Sequence, residues 1–172
     1  FIDKDNSNKM FGMIQFGGVY RTFNGGQTTS GISIPSQGNW VTPFEQDPML
    51  TDVIYIGLNR VYKSVASGNN WTAISQELGG NLDQLKIANS NNLVIYTSRG
   101  GLLFKTVDGG ATDWFQLPSP GGSINSIAIH PTNPEKIAVA TTSNSKVFVS
   151  EDGGLSWLNY KFNLPGFSAL AL

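Results

Sequence analysis

One short pattern, a hydroxyl residue followed by Asp, Gly and Trp, recurs along the chain and constrains its fold more than any other feature. Near the end it reads Ser150-Glu151-Asp152-Gly153-Gly154-Leu155-Ser156-Trp157, directly after an alternating apolar run. The Asp can accept hydrogen bonds from backbone N–H groups of its own turn, and the glycines supply positive φ at no steric cost. The pattern therefore predicts a tight hairpin turn between two β-strands.

The pattern occurs four times, with copies that start at residues 22, 64, 106 and 150, so the spacings are 42, 42 and 44 residues. The second copy has Ala66 in place of Asp, the third has one extra residue before Trp, and the first has Asn24 for Asp and Thr29 for Trp. A fixed period of this size indicates a solenoid, a propeller or a similar array. The residues assigned to the four hairpins are Thr22, Asn24, Gly26, Ser64, Gly68, Trp71, Thr106, Asp108, Gly110, Trp114, Ser150, Asp152, Gly154 and Trp157.

Short runs rich in Val, Ile, Tyr, Phe and Trp come in sets within each period and predict an all-β protein. No run has a sustained helical periodicity, and the low content of charged residues, 13%, suits a turn-rich β protein. Helix content is predicted to be close to nil. The predicted strands lie near residues 10–15, 18–23, 28–34, 40–45, 53–57, 60–64, 71–75, 82–88, 93–97, 102–106, 113–117, 124–129, 136–141, 146–150 and 157–161.

The four copies resemble Asp-box repeats, also called BNR repeats, which occur in sialidases, sortilin-type receptors, xyloglucan-degrading glycosidases and secreted bacterial surface proteins. The resemblance implies a β-propeller of four-stranded antiparallel blades, in which the box is a structural hairpin between the third and fourth strands. The whole chain is then one propeller domain or a segment of one. Its blade periods are approximately 1–37, 38–80, 81–122 and 123–166, and residues 167–172 form a further inner strand.

The two ends of the chain leave the ring size open. Residues 167–172 match residues 124–129, and residues 1–3 correspond to Ile129-His130, so the chain spans close to four periods. Either the last strand closes the first blade, or four periods belong to a ring of six to eight. Because the sequence begins at Phe1 without Met or a signal peptide, we expect a mature or excised segment, with the remaining blades in the same parent protein.

Composition narrows the classes of partner. A formal net charge of −1 disfavours nucleic acid and acidic membrane surfaces, both of which select for a basic patch. The chain has no Cys, which excludes disulfides and thiol chemistry, and its apolar runs fall far short of the roughly 20 residues of a membrane helix. We therefore expect no nucleic-acid binding and no membrane insertion.

The resemblance implies that ligands are held on the face opposite the boxes, near the axis. The candidates at loops of that face are Trp40, Arg60, Glu77, Asn81, Asp83 and Arg99. Each has a structural alternative: Trp40 can be a wedge between blades, the two arginines can be solvated cations in hairpin turns, and the acidic residues can be solvated loop carboxylates.

Two further polar stretches favour turns over metal sites. His130 precedes Pro131 in a turn that corresponds to Asp47-Pro48, which favours a capping role. Asp3, Asp5 and Asn6 resemble the start of a calcium loop, but the required Gly and distal Glu do not follow. The sequence predicts no metal site and no cofactor.

Three functions remain. The first is a non-catalytic binding or scaffolding propeller of a secreted or cell-surface protein, bacterial rather than eukaryotic, with a protein or glycan partner. The second is a fragment of a xyloglucanase-type glycoside hydrolase, which needs two carboxylates flanking the scissile bond; only Glu77 and Asp83 form an acidic pair on the expected face. The third is a sialidase, which is disfavoured because Arg21, Arg60 and Arg99 all lie at repeat-equivalent or hairpin positions.

Overall fold

The computed structural model describes residues 1–142 and 146–160. These residues form antiparallel sheets whose strands pair in chain order. One 3-10 turn, Gln15–Gly17, is the only helical element in this part of the chain. Two compact units can be distinguished, Phe1–Leu82 and Asp83–Leu172.

The first unit contains two sheets. Sheet 1 has three strands, and the segment Phe1-Ile2 pairs with the free edge of its first strand through an isolated bridge between Ile2 and Met10. Sheet 2 has four strands. The strands are β1 Met10–Ile14, β2 Gly18–Thr22 and β3 Ser30–Ile32 in sheet 1, then β4 Phe44–Gln46, β5 Ile54–Gly57, β6 Val61–Ser64 and β7 Thr72–Ala73 in sheet 2.

The second unit contains two four-stranded sheets. Sheet 4 carries a bulge in the pairing of its first two strands, between Ile124 and Ser126. The strands are β8 Gln84–Ala88, β9 Asn91–Arg99, β10 Leu102–Thr106 and β11 Phe115–Leu117 in sheet 3, then β12 Ile124–His130, β13 Asn133–Thr141, β14 Lys146–Ser150 and β15 Leu158–Asn159 in sheet 4.

Each unit has its own apolar core, built from alternating side chains of its strands. In the first unit Phe11, Val19, Ile54, Ile56 and Leu58 are buried together. In the second unit the core joins both sheets and contains Tyr96, Leu103, Ile127, Ile137 and Val139. Except for Leu58 and Leu103, these are β-branched or aromatic residues, which fit a pleated, buried surface, and the period-2 spacing of the buried positions fixes the strand register.

The predicted hairpin recurs at the same place in all four sheets, between the last two strands, and we call it the corner. In each corner the first hydroxyl accepts a hydrogen bond from the N–H of the glycine four residues later. The pairs are Gly26 to Thr22 at 3.1 Å, Gly68 to Ser64 at 2.9 Å, Gly110 to Thr106 at 3.1 Å and Gly154 to Ser150 at 2.7 Å. These glycines have φ between 83° and 95°, where a side chain would be strained. The recurrence of the corner is therefore confirmed.

The Asp or Asn of the corner completes the turn where it is present. The Asp152 carboxylate accepts the hydroxyl of Ser150 at 2.7 Å and the N–H of Ser156 at 2.9 Å. Asn24 makes the matching pair of bonds in sheet 1 through one amide oxygen. The second corner has Ala66 at this position, and there Ser67 adopts φ 52° and donates to Asp52 at 2.7 Å.

The corners of sheets 2 and 4 contact the preceding sheet of the same unit. Trp71 donates its indole N–H to the carbonyl of Ser33 at 3.0 Å, and Arg21 donates to the carbonyl of Ser67 at 2.5 Å. In the second unit Trp157 donates to the carbonyl of Pro118 at 2.9 Å. Lys105, which is buried, bonds both carboxylate oxygens of Glu135, at 2.9 and 2.8 Å. Each of these two corners thus contacts the preceding sheet as well as joining two strands.

Part of the stability of the fold should depend on the ionised carboxylates of the corners and should therefore be lost in acid. The hydroxyls of Thr112 and Ser156 lower the pKa of Asp108 and Asp152, respectively, to about 2. Because the folded-state pKa is depressed, this contribution is present above the unfolded value and is lost as pH falls from about 4 to 2. We expect the free energy of unfolding, measured with urea, to fall less over this pH range in the double variant Asp108→Asn, Asp152→Asn than in the unmodified chain. Asp113→Asn, a matched loss of charge on an exposed neighbour, is the control, and an equally shallow curve for it would contradict the assignment.

Several strand boundaries differ from the prediction. The strand predicted at 40–45 begins only at Phe44, because residues 38–40 instead bond to the turn at Phe16. The outer strands predicted at 71–75, 113–117 and 157–161 are shorter, Thr72–Ala73, Phe115–Leu117 and Leu158–Asn159, and residue 161 lies outside the described residues. The inner strand predicted at 167–172 also lies outside them.

Candidate functional site

The two ends of each sheet carry different loops. In sheets 2, 3 and 4 the corner donates a backbone N–H to a carbonyl at or beside the turn between the first two strands, and in sheet 1 it donates to a carbonyl in the turn between Phe1-Ile2 and β1. These bonds are Gly25 to Asn8, Ser67 to Asp52, Gly109 to Leu93, each at 2.9 Å, and Gly153 to Glu135 at 2.7 Å. The turn Gln15–Gly17 between β1 and β2 of sheet 1, and the turns between the second and third strands of sheets 2 and 3, therefore lie at the other end of their sheet. We call this the open end.

At the open end of sheet 1 lies a group of exposed apolar side chains, which we call the aromatic patch: Ile14, Phe16, Trp40 and Val41. Their exposed fractions are 53%, 40%, 66% and 76%. The rings of Phe16 and Trp40 meet edge to face, with centroids 5.2 Å apart. The predicted candidate Trp40 is thus a solvent-facing side chain with one aromatic neighbour.

The backbone beneath the patch is unusual. Phe16 has φ 60° and ψ 21°, the left-handed region, where a residue with a Cβ costs roughly 1–2 kcal/mol. Two hydrogen bonds hold it there: its N–H donates to the carbonyl of Trp40 at 3.3 Å, and its carbonyl accepts from Gly38 at 3.1 Å. A strained residue that exposes a large apolar side chain is a marker of a functional surface. Phe16 was not among the candidates that the sequence predicted, and its only local sequence signal is the Gly17-Gly18 pair that follows it.

Two cavities flank the patch. The first, of 470 Å³, lies beside the inner edge of β1 and is lined by Phe11, Met13, Ile14, Trp40 and Phe44 among others. The second, of 580 Å³, is lined by residues including Gln15, Phe16, Ile34, Ser36 and Gln37. Both volumes fall in the roughly 300–1,000 Å³ range of ligand sites. Within the described part of the chain, the side chains that line both cavities are apolar or uncharged.

Two other predicted candidates of the first unit pair with each other. Arg60 and Glu77 form an ion pair at 3.4 Å, with side chains 37% and 66% exposed, a type of contact worth about 0–1 kcal/mol. Asn81, also in this unit, is half-buried. None of these three residues lines the cavities beside the aromatic patch.

The remaining candidates lie in the second unit, at the open end of sheet 3. The Asp83 carboxylate accepts the N–H of Gly100 at 2.6 Å, and its own N–H donates to the carbonyl of Ser98 at 2.8 Å. Arg99, half-buried, precedes that turn at the end of β9. Asp83 therefore has a structural role in the turn between β9 and β10.

The acidic turns at the corner ends act as backbone caps. Asp47 accepts the N–H groups of Met49 and Leu50, both at 2.8 Å, and Asp3 accepts those of Asp5 and Asn6 at 3.0 and 3.1 Å. His130 Nδ1 accepts the N–H of Thr132 at 3.3 Å. Within residues 1–142 and 146–160, no three metal-ligating side chains come together.

Comparison with solved structures identifies the fold. A GH74 enzyme from Niastella koreensis matches 92% of the chain at 23% identity with a TM-score of 0.73, and an ancestral GH74 enzyme matches 98% at 17% identity with a TM-score of 0.77. An auxiliary nutrient binding protein from Bacteroides thetaiotaomicron matches 87% at 14% identity with a TM-score of 0.62.

The fold is that of part of a β-propeller. The chain spans 28%, 26% and 36% of the lengths of these three structures. No protein-family model matches the sequence, and comparison with curated proteins also finds no match. At these identities the likeness concerns the fold alone.

In propeller terms, each sheet is a blade, and in sheet 1 the segment Phe1-Ile2 lies at the edge where the other three sheets have their first strand. The aromatic patch lies at the open end of the first blade, around the turn Gln15–Gly17 between β1 and β2. Among the described residues, no helix has the length and apolar character needed to cross a membrane.

Proposed function

We propose that this chain is a non-catalytic binding segment of a secreted or cell-surface propeller, and that the aromatic patch contacts its protein or glycan partner. The observation that carries the proposal is the exposed pair of Phe16 and Trp40, held by a left-handed backbone at Phe16. Aromatic side chains supply much of the energy of binding surfaces, and exposed apolar patches commonly mark interaction sites.

The flanking side chains support the same proposal. Gln15 and Gln37 are exposed beside the patch, and their amides offer both donors and acceptors to a polar ligand. A large apolar surface with a few neutral polar groups is the usual composition of a ligand site. The partner surface should therefore be uncharged where it meets the patch.

We further propose that the chain belongs to the Asp-box type of propeller, with blade periods of approximately 1–37, 38–80, 81–122 and 123–166. The support is the recurring corner, with the same hydroxyl-to-glycine bond in each of the four sheets. A secreted or surface location is supported by the likeness to a nutrient binding protein of Bacteroides thetaiotaomicron.

A glycoside hydrolase remains the alternative because two of the similar structures are GH74 enzymes. That chemistry needs two carboxylates that face the scissile bond. Of the predicted acidic pair, Glu77 bonds Arg60, and Asp83 bonds the backbone of Gly100. Incubation of the chain with xyloglucan, mixed-linkage glucan and sialyl-lactose tests this alternative, and turnover of any of them would replace the binding proposal.

Two substitutions separate binding from stability at the patch. Trp40→Ala should weaken binding, measured on a glycan array and a displayed peptide library, by about thirtyfold or more, since anchor side chains contribute about 2 kcal/mol or more. Phe16→Gly should also weaken binding, yet leave the free energy of unfolding unchanged or raise it by up to about 1 kcal/mol, because glycine adopts a left-handed backbone without strain.

The matched control for these variants is Leu155→Ala, which removes a side chain that is 63% exposed at a corner, away from the patch. Its binding should equal that of the unmodified chain. If Trp40→Ala and Leu155→Ala bind equally well to every ligand that the chain recognises, the patch is not the binding surface.

A further inference from the structure

The corner of sheet 1 contains Asn24 followed by Gly25, the one Asn-Gly pair in the sequence. The backbone nitrogen after an Asn can attack the side-chain amide carbon, and a glycine allows the closest approach because it has no side chain. Asn24 and Gly25 are both exposed. Asp152 at the same position of the fourth corner is exposed as well, although that corner contacts the preceding sheet through Trp157. Access of water is therefore a property of this position of the corner.

Hydrogen bonds polarise the side-chain amide of Asn24. Its Oδ1 accepts the hydroxyl of Thr22 and the N–H of Thr28, both at 2.9 Å. Its Nδ2 donates to the hydroxyl of Thr28, also at 2.9 Å. Two donors on a carbonyl oxygen stabilise the negative charge that develops there when a nucleophile adds to the carbon. The corner therefore favours attack at Cγ of Asn24.

One hydrogen bond restrains the attacking nitrogen. The N–H of Gly25 donates to the carbonyl of Asn8 at 2.9 Å, and both residues are exposed. Bonds in exposed turns open locally at a small cost in free energy. Opening of this one bond frees the nitrogen of Gly25, while the two bonds to Oδ1 of Asn24 involve other groups and stay in place.

The fourth corner shows that an aspartate fits this position. Asp152 accepts the hydroxyl of Ser150 and the N–H of Ser156 through one oxygen, as Asn24 does with its own two donors. Its second oxygen accepts the hydroxyl of Ser156 at 2.6 Å. In sheet 1 the hydroxyl of Thr28 can donate to a carboxylate after rotation about its C–O bond. Isoaspartate, in contrast, adds a carbon atom to the main chain and lengthens the turn.

We propose that Asn24 is a site of spontaneous deamidation, and that the folded corner converts it to aspartate rather than isoaspartate. The nitrogen of Gly25 forms a bond to Cγ, its proton passes through water to Nδ2, and ammonia leaves as a cyclic succinimide forms. Water then adds to Cγ and breaks the new N–Cγ bond. The net reaction converts one amide and one water into one carboxylate and one ammonium ion. This site is separate from the aromatic patch, so the inference does not rest on the proposed function.

The converted corner should resist further reaction. An ionised carboxylate is a poor electrophile, and Asp108 and Asp152 also precede glycine. The donors around these two carboxylates lower their pKa to about 2, so they stay ionised at neutral pH and resist cyclisation. Conversion of Asn24 therefore runs in one direction and adds a negative charge to the first corner.

The experiment compares the complete chain aged at mildly alkaline pH in the folded state with the same chain aged in guanidinium chloride. Peptide mapping by mass spectrometry follows every Asn, and isoaspartyl methyltransferase measures isoaspartate. In the folded chain we expect Asn24 to react before any other Asn and to give mainly aspartate. The unfolded chain should give mainly isoaspartate, because a free succinimide opens preferentially at its main-chain carbonyl. Retention of the amide in the folded chain, or isoaspartate as its main product, would overturn the proposal.

The variant Asn24→Asp reproduces the expected product. Its urea midpoint at neutral pH should exceed that of the fresh chain and equal that of the aged chain, because hydrogen bonds to a charged acceptor are stronger than those to an amide. Asn70→Asp, the same change of charge at an exposed residue of the second corner, is the matched control and should leave the midpoint unchanged. An equal midpoint for Asn24→Asp and Asn70→Asp would show that the corner does not select the carboxylate.

Discussion

Replacement of Trp114 by alanine is expected to lower the free energy of unfolding by about 3–5 kcal/mol, the usual loss for a buried tryptophan. Trp114 is 3% exposed and follows the third corner directly. The loss is large because it combines the lost transfer energy of the indole with the cavity left behind. Urea unfolding followed by circular dichroism measures it.

The matched control is Trp40→Ala, the same substitution at a side chain that is 66% exposed. It should change stability by no more than about 0.5 kcal/mol, as is usual for surface positions. Trp71 and Trp157, which are half-buried and each bonded through the indole, should lie between the two extremes. Equal losses at Trp114 and Trp40 would show that the indole of Trp114 is not part of a core.

Replacement of Asp47 by alanine is expected to cost about 2–5 kcal/mol. Its fully buried carboxylate caps the N–H groups of Met49 and Leu50 and accepts the hydroxyl of Tyr55 at 2.8 Å. Loss of a cap costs about 0.5–2 kcal/mol, and the buried Tyr55 hydroxyl left without an acceptor adds about 1–3 kcal/mol. Thermal and urea unfolding both measure the change.

A double-mutant cycle tests the second part of that cost. In the Tyr55→Phe background the hydroxyl is absent, so Asp47→Ala should cost less by about 1–3 kcal/mol. Strict additivity of the two substitutions would mean that the bond contributes nothing.

The buried Tyr55 hydroxyl also predicts a loss of stability at alkaline pH. Burial, with Asp47 beside it, raises the pKa of Tyr55 above its usual range. The free energy of unfolding should therefore fall as pH rises above about 10, and Tyr55→Phe should lessen that fall.

The corners could be predicted from the sequence because their bonds are local. The hydroxyl of Ser150 reaches the glycine four residues later, so residue type and spacing determine the turn without knowledge of the rest of the fold. The same argument explains why Asn24 substitutes for Asp, since one amide oxygen can accept both bonds. The order of the strands within a sheet could be predicted as well, because the spacing of the corners defines the repeat period.

The candidate site could be predicted only in part. Trp40 was ranked from its place in the repeat, but its neighbour Phe16 was not, because a left-handed φ at a residue with a side chain has no local sequence signal. Its conformation depends on bonds to Gly38 and Trp40, more than twenty residues away along the chain. The capping role of Asp83 was missed for a similar reason, since its partner Gly100 comes from the next hairpin.

The bonds between a corner and the sheet before it bear on how such chains change length in evolution. Trp71 reaches back to Ser33, and Trp157 reaches back to Pro118, across 38 and 39 positions of sequence. A gene duplication that copies one full period supplies each new indole with a carbonyl at the right distance upstream. A duplication that is out of phase by a few codons misaligns both, so growth by whole periods is the route that preserves a folded product.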